Sequence, residues 1–200
     1  FFVGLCVSQQ SWQTSEMLTR AYVNIHSQMW FNNKGKIKIQ LLGCGTILRE
    51  MIAAGEVLSK EYNIDSDIWS VTSFNEVTRE AQRVDRDNLY KTSKTNQVPY
   101  ITNCFSNSKG PIIAATDYMR NYAEQIRKYI PSRYEVLGTD GFGRSDSRKE
   151  LRYFFEVNAN YIVFVTLKAL VDDGLLESKT IKIAIKKLNI DIDKSNPMHS

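Results

Sequence analysis

Two hundred residues, 42% hydrophobic and 24% charged, suffice for one domain with a real core, or for one domain plus a tail. The formal net charge is +4, with 26 Lys and Arg interleaved among 22 Asp and Glu, which leaves no concentrated basic footprint for nucleic acid. Three scattered cysteines without a CxxC pair, and two histidines of which one is the penultimate residue, argue against a disulfide framework, a zinc site, a His-based metal centre or a Ser-His-Asp triad.

The opening FFVGLCV reads as a buried strand. It is too short to span a membrane and has no basic lead-in, so it is not a signal peptide. With no Met at its start, the chain reads as a piece of a longer protein in a reducing, cytoplasmic setting, with neither a membrane nor a nucleic acid among its partners. Residues 8–35 read as a connector with one helical stretch near 15–30, closed by a turn at Asn32, Asn33 and Gly35. The expected boundary follows: residues 1–35 are the end of a preceding domain and a connector, and residues 36–200 are the domain itself.

From Lys36 to Leu42 apolar and polar residues alternate, the signature of a strand. GCG at 43–45 breaks it, and Thr46 stands as the cap of a helix striped by Ile47, Met51, Ala54 and Leu58. A second strand is expected over Ile68–Thr72, then a helix of two turns capped by Ser73, then a long loop over residues 80–98. Pro111–Ala115 is a third strand. Thr116 or Asp117 caps a helix carrying Met119, Ala123, Ile126 and Ile130, which Pro131 ends. Tyr134–Leu137 is a fourth strand. The turn GTDGFGRSD follows it, with Ser145 as the cap of the next helix and Asp146 at that helix's positive end. Residues 158–173 form a helix apolar nearly all round, hence buried, stopped by Gly174. Ile181, Ile185 and Leu188 stripe a last helix. Strands alternating with helices predict an α/β fold: a three-layer, open, mostly parallel sheet with helices on both faces.

Open α/β sheets bind ligands at the carboxyl edge of their strands. Four strand-to-helix turns converge there if the last strand runs parallel. The candidate interface or anion-contact residues are therefore Gly43, Gly45, Thr46, Asp117, Asp140, Gly141, Phe142, Gly143, Arg144 and Ser145. LLGCGT lacks the third glycine of a dinucleotide fingerprint and the lysine of a phosphate loop, so it reads as a tight turn. Asp117, Asp140 and Asp146 stand where caps and turns want an acid, without a neighbouring His or Lys, so none is assigned to catalysis. Arg144 is the candidate for a specific contact, its fork suited to a carboxylate of a neighbouring chain. Cys44 sits between a strand and a helix, a setting that lowers a thiol pKa, but with no histidine partner it reads as a small buried residue.

The ordered set QLLGCGTILREMIAAGEVL, SVTSFNEVTRE, VPYITNC, GPIIAATDYMRNYAEQIRKYIP, YEVLGTDGFGRSDSRKELRYFFEV and the ending LNIDIDKSNPMHS resembles the C-terminal region of the homodimeric bacterial pyruvate dehydrogenases. These are the thiamine-diphosphate-dependent decarboxylating components of the pyruvate dehydrogenase complex, and the resemblance runs from about residue 36 to 200. It implies a transketolase C-terminal domain. It also implies that thiamine diphosphate and magnesium are bound by domains outside this chain, that no catalytic, cofactor or metal residue lies within it, and that the chain is inactive alone. The implied partners are the rest of the parent enzyme, its homodimer mate and the dihydrolipoyl acyltransferase component. Residues 1–35 and 86–97 depart from the pattern. Two other readings compete: a free-standing module that docks the acyltransferase, and a small anion- or nucleotide-binding domain built on GCGT and the glycine turn.

Overall fold

The computed structural model describes residues 25–31, 37–90 and 96–199. The strand expected at residues 1–7, most of the connector and the turn at 32–35 lie outside the described residues. Five strands form one sheet: β1 (Ile25–Phe31), β2 (Ile37–Gly43), β3 (Ile64–Val71), β4 (Ile112–Ala115) and β5 (Tyr134–Leu137). Their order is β1-β3-β2-β4-β5, and all are parallel except β1, which runs antiparallel along β3 with a bulge between Ser27 and Met29.

The expected helical stretch near 15–30 is described only from residue 25, and there the chain forms a strand instead. Its order comes from hydrogen bonding to the outer edge of β3, a tertiary pairing that local spacing does not reveal. It precedes the expected boundary at residue 36, yet it is part of the sheet.

The helices are α1 (Leu48–Tyr62), α2 (Phe74–Tyr90), α3 (Tyr100–Phe105), α4 (Arg120–Glu124), α5 (Arg148–Phe154), α6 (Ala159–Asp172) and α7 (Lys179–Lys187). They divide between the two faces of the sheet. On one face Ile39, Leu41, Ile64 and Ile113 pack against Met51, Ala54 and Leu58 of α1, Ile162 and Leu167 of α6, and Ala184 of α7. On the other, Leu42, Ile112, Ala114 and Val136 pack against Val77 and Ala81 of α2, Ile101 and Phe105 of α3, and Ala123 of α4. The three layers follow from β2 lying at the centre: both of its faces are covered, so Gln40 is buried as well as Leu41. The Gln40 amide is satisfied there, accepting from Trp69 Nε1 at 2.6 Å and donating to Asp67 Oδ2 at 3.1 Å.

Several boundaries move. β3 begins four residues before the expected strand. Ser73 does cap its helix, accepting from the Glu76 amide at 3.3 Å, but that helix runs 17 residues instead of two turns. Val77, Ala81 and Val84 supply the buried stripe that carries it into the expected loop, as far as Tyr90. Helix α3 was not foreseen. The helix expected after Thr116 shrinks to the five residues of α4, with Ala123 and Ile126 buried as expected but Met119 half exposed. Residues 148–172 have the length and hydropathy of a membrane span. They form two helices, broken where Glu156 takes a left-handed φ of 61°, and α6 is a core helix against α1 and the sheet.

Candidate functional site at the carboxyl edge

The four parallel strands end together, and their following loops meet at one edge. Backbone hydrogen bonds from Cys44 N to Ala115 O (3.3 Å) and from Thr116 N to Leu137 O (3.1 Å) carry the sheet pairing just past the strand ends. After β2 the chain turns to the α1 face, and after β4 it turns to the opposite face. The gap between β2 and β4 is therefore the topological switch point, the usual crevice of such sheets.

Thr46 and Asp117 face each other across that crevice. The Thr46 hydroxyl donates to Asp117 Oδ2 at 2.6 Å. Thr46 is thus not the cap of α1: a single 3-10 turn, Gly45–Ile47, leads into the helix, and its N-cap position makes no side-chain bond. The turn is tight because α1 begins directly over β2. A Cβ on Gly43 would lie 2.8 Å from Leu48 Cα, so only glycine admits the helix this close.

Behind Thr46 stands a group that the sequence reading missed. Arg152 Nη2 donates to the Thr46 hydroxyl at 3.0 Å, and Nη1 donates to Glu50 Oε1 at 2.8 Å. Glu50 Oε2 accepts from the Ala159 amide at 2.9 Å, at the start of α6. The Arg152 and Glu50 side chains are only 12% and 21% exposed, so this ion pair works in a drier setting than a surface pair. The available signal was a charged residue inside the apolar run LRYFF.

The glycine turn is held from two sides. Asp140 accepts from the Arg120 amide at 2.9 Å and from its guanidinium, while Thr139 donates its hydroxyl to Asp117 O at 2.7 Å. From the other side comes the chain's own C-terminal segment. Gly141 has φ +115°, and a Cβ there would lie 2.2 Å from Pro197 O. Met198 Sδ lies 3.6 Å from Arg120 Nη2. Lys194 anchors the segment, its ammonium donating to Phe154 O at 2.6 Å and to Glu156 Oε1 at 3.0 Å among the rings of Tyr153, Phe154 and Tyr161.

Gly43, Gly45, Thr46, Asp117, Asp140 and Gly141 are thus brought together at the edge. Phe142 and Gly143 point outward, Phe142 with 78% of its surface exposed and Gly143 open on the Cβ side. Arg144 folds back instead, its guanidinium 3.9 Å from the centroid of the Phe154 ring. Ser145 is not the cap of α5. Ser147 is, accepting from the Glu150 amide at 3.3 Å, while Asp146 accepts from the Ser147 amide. The cap slipped two residues because the glycine turn extends further before the helix can start. Cys44 lies in a 310 Å³ cleft with Thr116, Tyr118 and Tyr122. Burial, and then the Asp117 carboxylate, push its thiol pKa up, the reverse of the helix-terminus expectation.

Residues 21–158 match the family described as the transketolase-like TK C-terminal domain. The chain belongs to that family. This transketolase-like C-terminal domain is 43% identical to the pyruvate dehydrogenase E1 component of Cupriavidus necator over 97% of its own length and 22% of the relative's. It is 50% identical to the Pseudomonas aeruginosa E1 component (80% of this chain, 18% of the relative) and 49% identical to that of Escherichia coli K12 (81% and 18%). The domain therefore spans about a fifth of the length of these relatives. Among solved structures, transketolase from Leishmania mexicana matches with a TM-score of 0.45 and 14% identity, over 68% of this chain and 17% of that one.

Proposed function

We propose that this chain is the C-terminal domain of a pyruvate dehydrogenase decarboxylating component, and that it supports the dimer and the active-site assembly without carrying the chemistry. The parent reaction on this reading releases carbon dioxide from pyruvate and passes the two-carbon unit to the lipoyl group of a dihydrolipoyl acyltransferase, in the cytoplasm. The parent's thiamine diphosphate, held with magnesium by domains outside this chain, supplies the electron sink.

The observation that carries the reading is that the polar groups of the carboxyl edge already bond to one another. Asp117 accepts from Thr46, Asp140 from Arg120, and Arg152 is neutralised by Glu50. Among the described residues no three His, Cys, Asp or Glu side chains converge as metal ligands would. No step of the reaction is therefore assigned to the residues of this edge. GCGT is read here as a structural turn, with α1 packed directly over Gly43.

The test is an assay of carbon dioxide release from pyruvate, with thiamine diphosphate and magnesium, by the purified chain. The expected rate is that of the enzyme-free control. Sustained turnover overturns the reading.

A further inference from the structure

The polar side chains of the carboxyl edge fall into two groups. The charged ones are occupied close by, Asp117 with Thr46, Asp140 with Arg120 and Arg152 with Glu50. Uncharged ones gather in the 310 Å³ cleft over the carboxyl ends of β3, β2 and β4, three neighbours in the sheet, beside the switch point. Cys44 follows β2, Ser73 and Asn75 follow β3, and Thr116, Tyr118 and Tyr122 follow β4. Among the described residues no charged side chain lines this cleft.

The hydrogen bonds already made there leave one kind of capacity. Ser73 Oγ accepts from the Glu76 amide, which leaves its O–H to donate. Asn75 Oδ1 accepts from Gln125 Nε2 at 3.3 Å, which leaves its own amide N–H groups. The Cys44 thiol and the Tyr118 and Tyr122 phenols make no hydrogen bond among the described residues. Thr116 is wholly buried beneath them and braces Tyr118, accepting from its amide at 3.1 Å. The Tyr118 and Tyr122 rings meet edge to face at 5.6 Å and remain 63% and 39% exposed, which leaves ring surface for stacking.

These features select the ligand. Free donors call for a ligand that brings acceptors. The ring surface calls for a flat one. A sugar would bring hydroxyl protons, and the acceptors of Ser73 and Asn75 are already engaged. An anion would meet the Asp117 carboxylate, which stands close enough to add to the burial that raises the Cys44 thiol pKa.

We propose that this cleft binds a small, uncharged, planar ring carrying carbonyl oxygens, stacked on Tyr118 and accepting from Ser73, Asn75 and the Cys44 thiol. Small-molecule sites have this make-up, a concave wall with aromatic surface and a few placed polar groups. The site does not depend on the reading of the chain as part of a larger enzyme.

Uracil, a flat uncharged ring with carbonyls, is the probe. A saturation-transfer NMR titration of the purified chain gives saturable binding of uracil and weaker binding of benzoate, which is flat but anionic. Saturating uracil slows the alkylation of Cys44 by iodoacetamide, read by peptide mass mapping, and leaves the rate at Cys104 unchanged. Tyr118→Ala weakens binding by about tenfold, as loss of a stacking partner does. Phe142→Ala, outside the cleft, leaves it unchanged. The alkylation measurement uses the wild-type chain, so it decides the matter even where a variant is unstable. Absence of saturable uracil binding overturns the proposal. So does binding that leaves Cys44 unprotected, wild-type affinity in Tyr118→Ala, or benzoate bound as tightly as uracil.

Discussion

Pro197 O occupies the space that a side chain on Gly141 would need, 2.2 Å from the position of a Cβ. The glycine turn is shaped by the end of its own chain. Its glycine serves two needs at once, a φ of +115° and a contact that no side chain permits. Gly141→Ala therefore strains the turn and evicts Pro197 together. The expected cost is ~1–3 kcal/mol, read as a lower urea midpoint. Limited proteolysis separates the two effects: cleavage after residue 190 accelerates in the variant if the segment is released. Wild-type stability with wild-type proteolysis would show that the turn tolerates a side chain.

The same segment depends on Lys194. Its side chain is 10% exposed, bonded to Phe154 O and Glu156, with three aromatic rings around it. The lysine also steadies Glu156, whose φ of 61° is unusual for a residue with a side chain. Lys194→Met keeps the apolar stem and removes every donor. The expected loss is ~1–2 kcal/mol, from the hydrogen bonds and the cation over the rings. Chemical denaturation with an unchanged m-value is the measurement. A neutral substitution would show that the stem alone anchors the segment.

How far the sequence foretells this arrangement depends on how local each cause is. The strand β2, the Ile47-Met51-Ala54-Leu58 stripe and the Ser73 cap are written within a few residues, and the structure has them. The parallel order of β2, β4 and β5 follows from helices between strands, and it delivers the turns to one edge. What eludes sequence is set by distant partners. Ile25–Phe31 is a strand because β3 has a free edge, and Arg152 points inward because Glu50 lies 102 residues away. The Thr46 hydroxyl turns from capping to Asp117 for the same reason. The length of α2 is a different failure. Its stripe is present in the sequence, but the surrounding Glu, Arg and Asp residues mask it, since a solvated helix face and a loop have similar composition. The glycine turn was legible as a place of close approach, though not that the approaching group is Pro197.

The Arg152–Glu50 pair joins α5, α1 and the start of α6, and a double-mutant cycle weighs it. Glu50→Gln retains an oxygen for the Ala159 amide but removes the charge. Arg152→Met removes the cation and keeps much of the volume. With side chains 12% and 21% exposed, the pair falls between a surface bridge and a buried one. A coupling energy of ~1–2 kcal/mol is expected. Arg152→Met alone costs more than Glu50→Gln alone, since it leaves an anion with only an amide for company. Additive effects would mean that the two side chains act independently.

High pH tests the layer formed by α2, α3 and α4. Tyr134 is 2% exposed and donates to Ala123 O at 2.9 Å, and burial raises its pKa well above the ordinary value. Burial and the Asp85 carboxylate, which accepts from its hydroxyl at 2.9 Å, push Tyr129 up to about 12. Burial, and then Cys104, push Tyr100 to about 12 as well. An unfolded phenol ionises near 10. Each of these tyrosines therefore favours the native state fully below pH about 10, and its contribution falls as pH rises towards about 12, where the unfolded chain has already lost its proton. Urea midpoints should be flat below this window and decline through it. Tyr129→Phe removes one of the groups that ionise in this window, so the alkaline decline becomes shallower, while at neutral pH the variant loses only the bond to Asp85. An ultraviolet titration of the native protein should show the buried phenols of Tyr129 and Tyr134 ionising together with unfolding. Their ionisation near pH 10 in a still-folded chain would show that the α2–α3–α4 layer admits water to them.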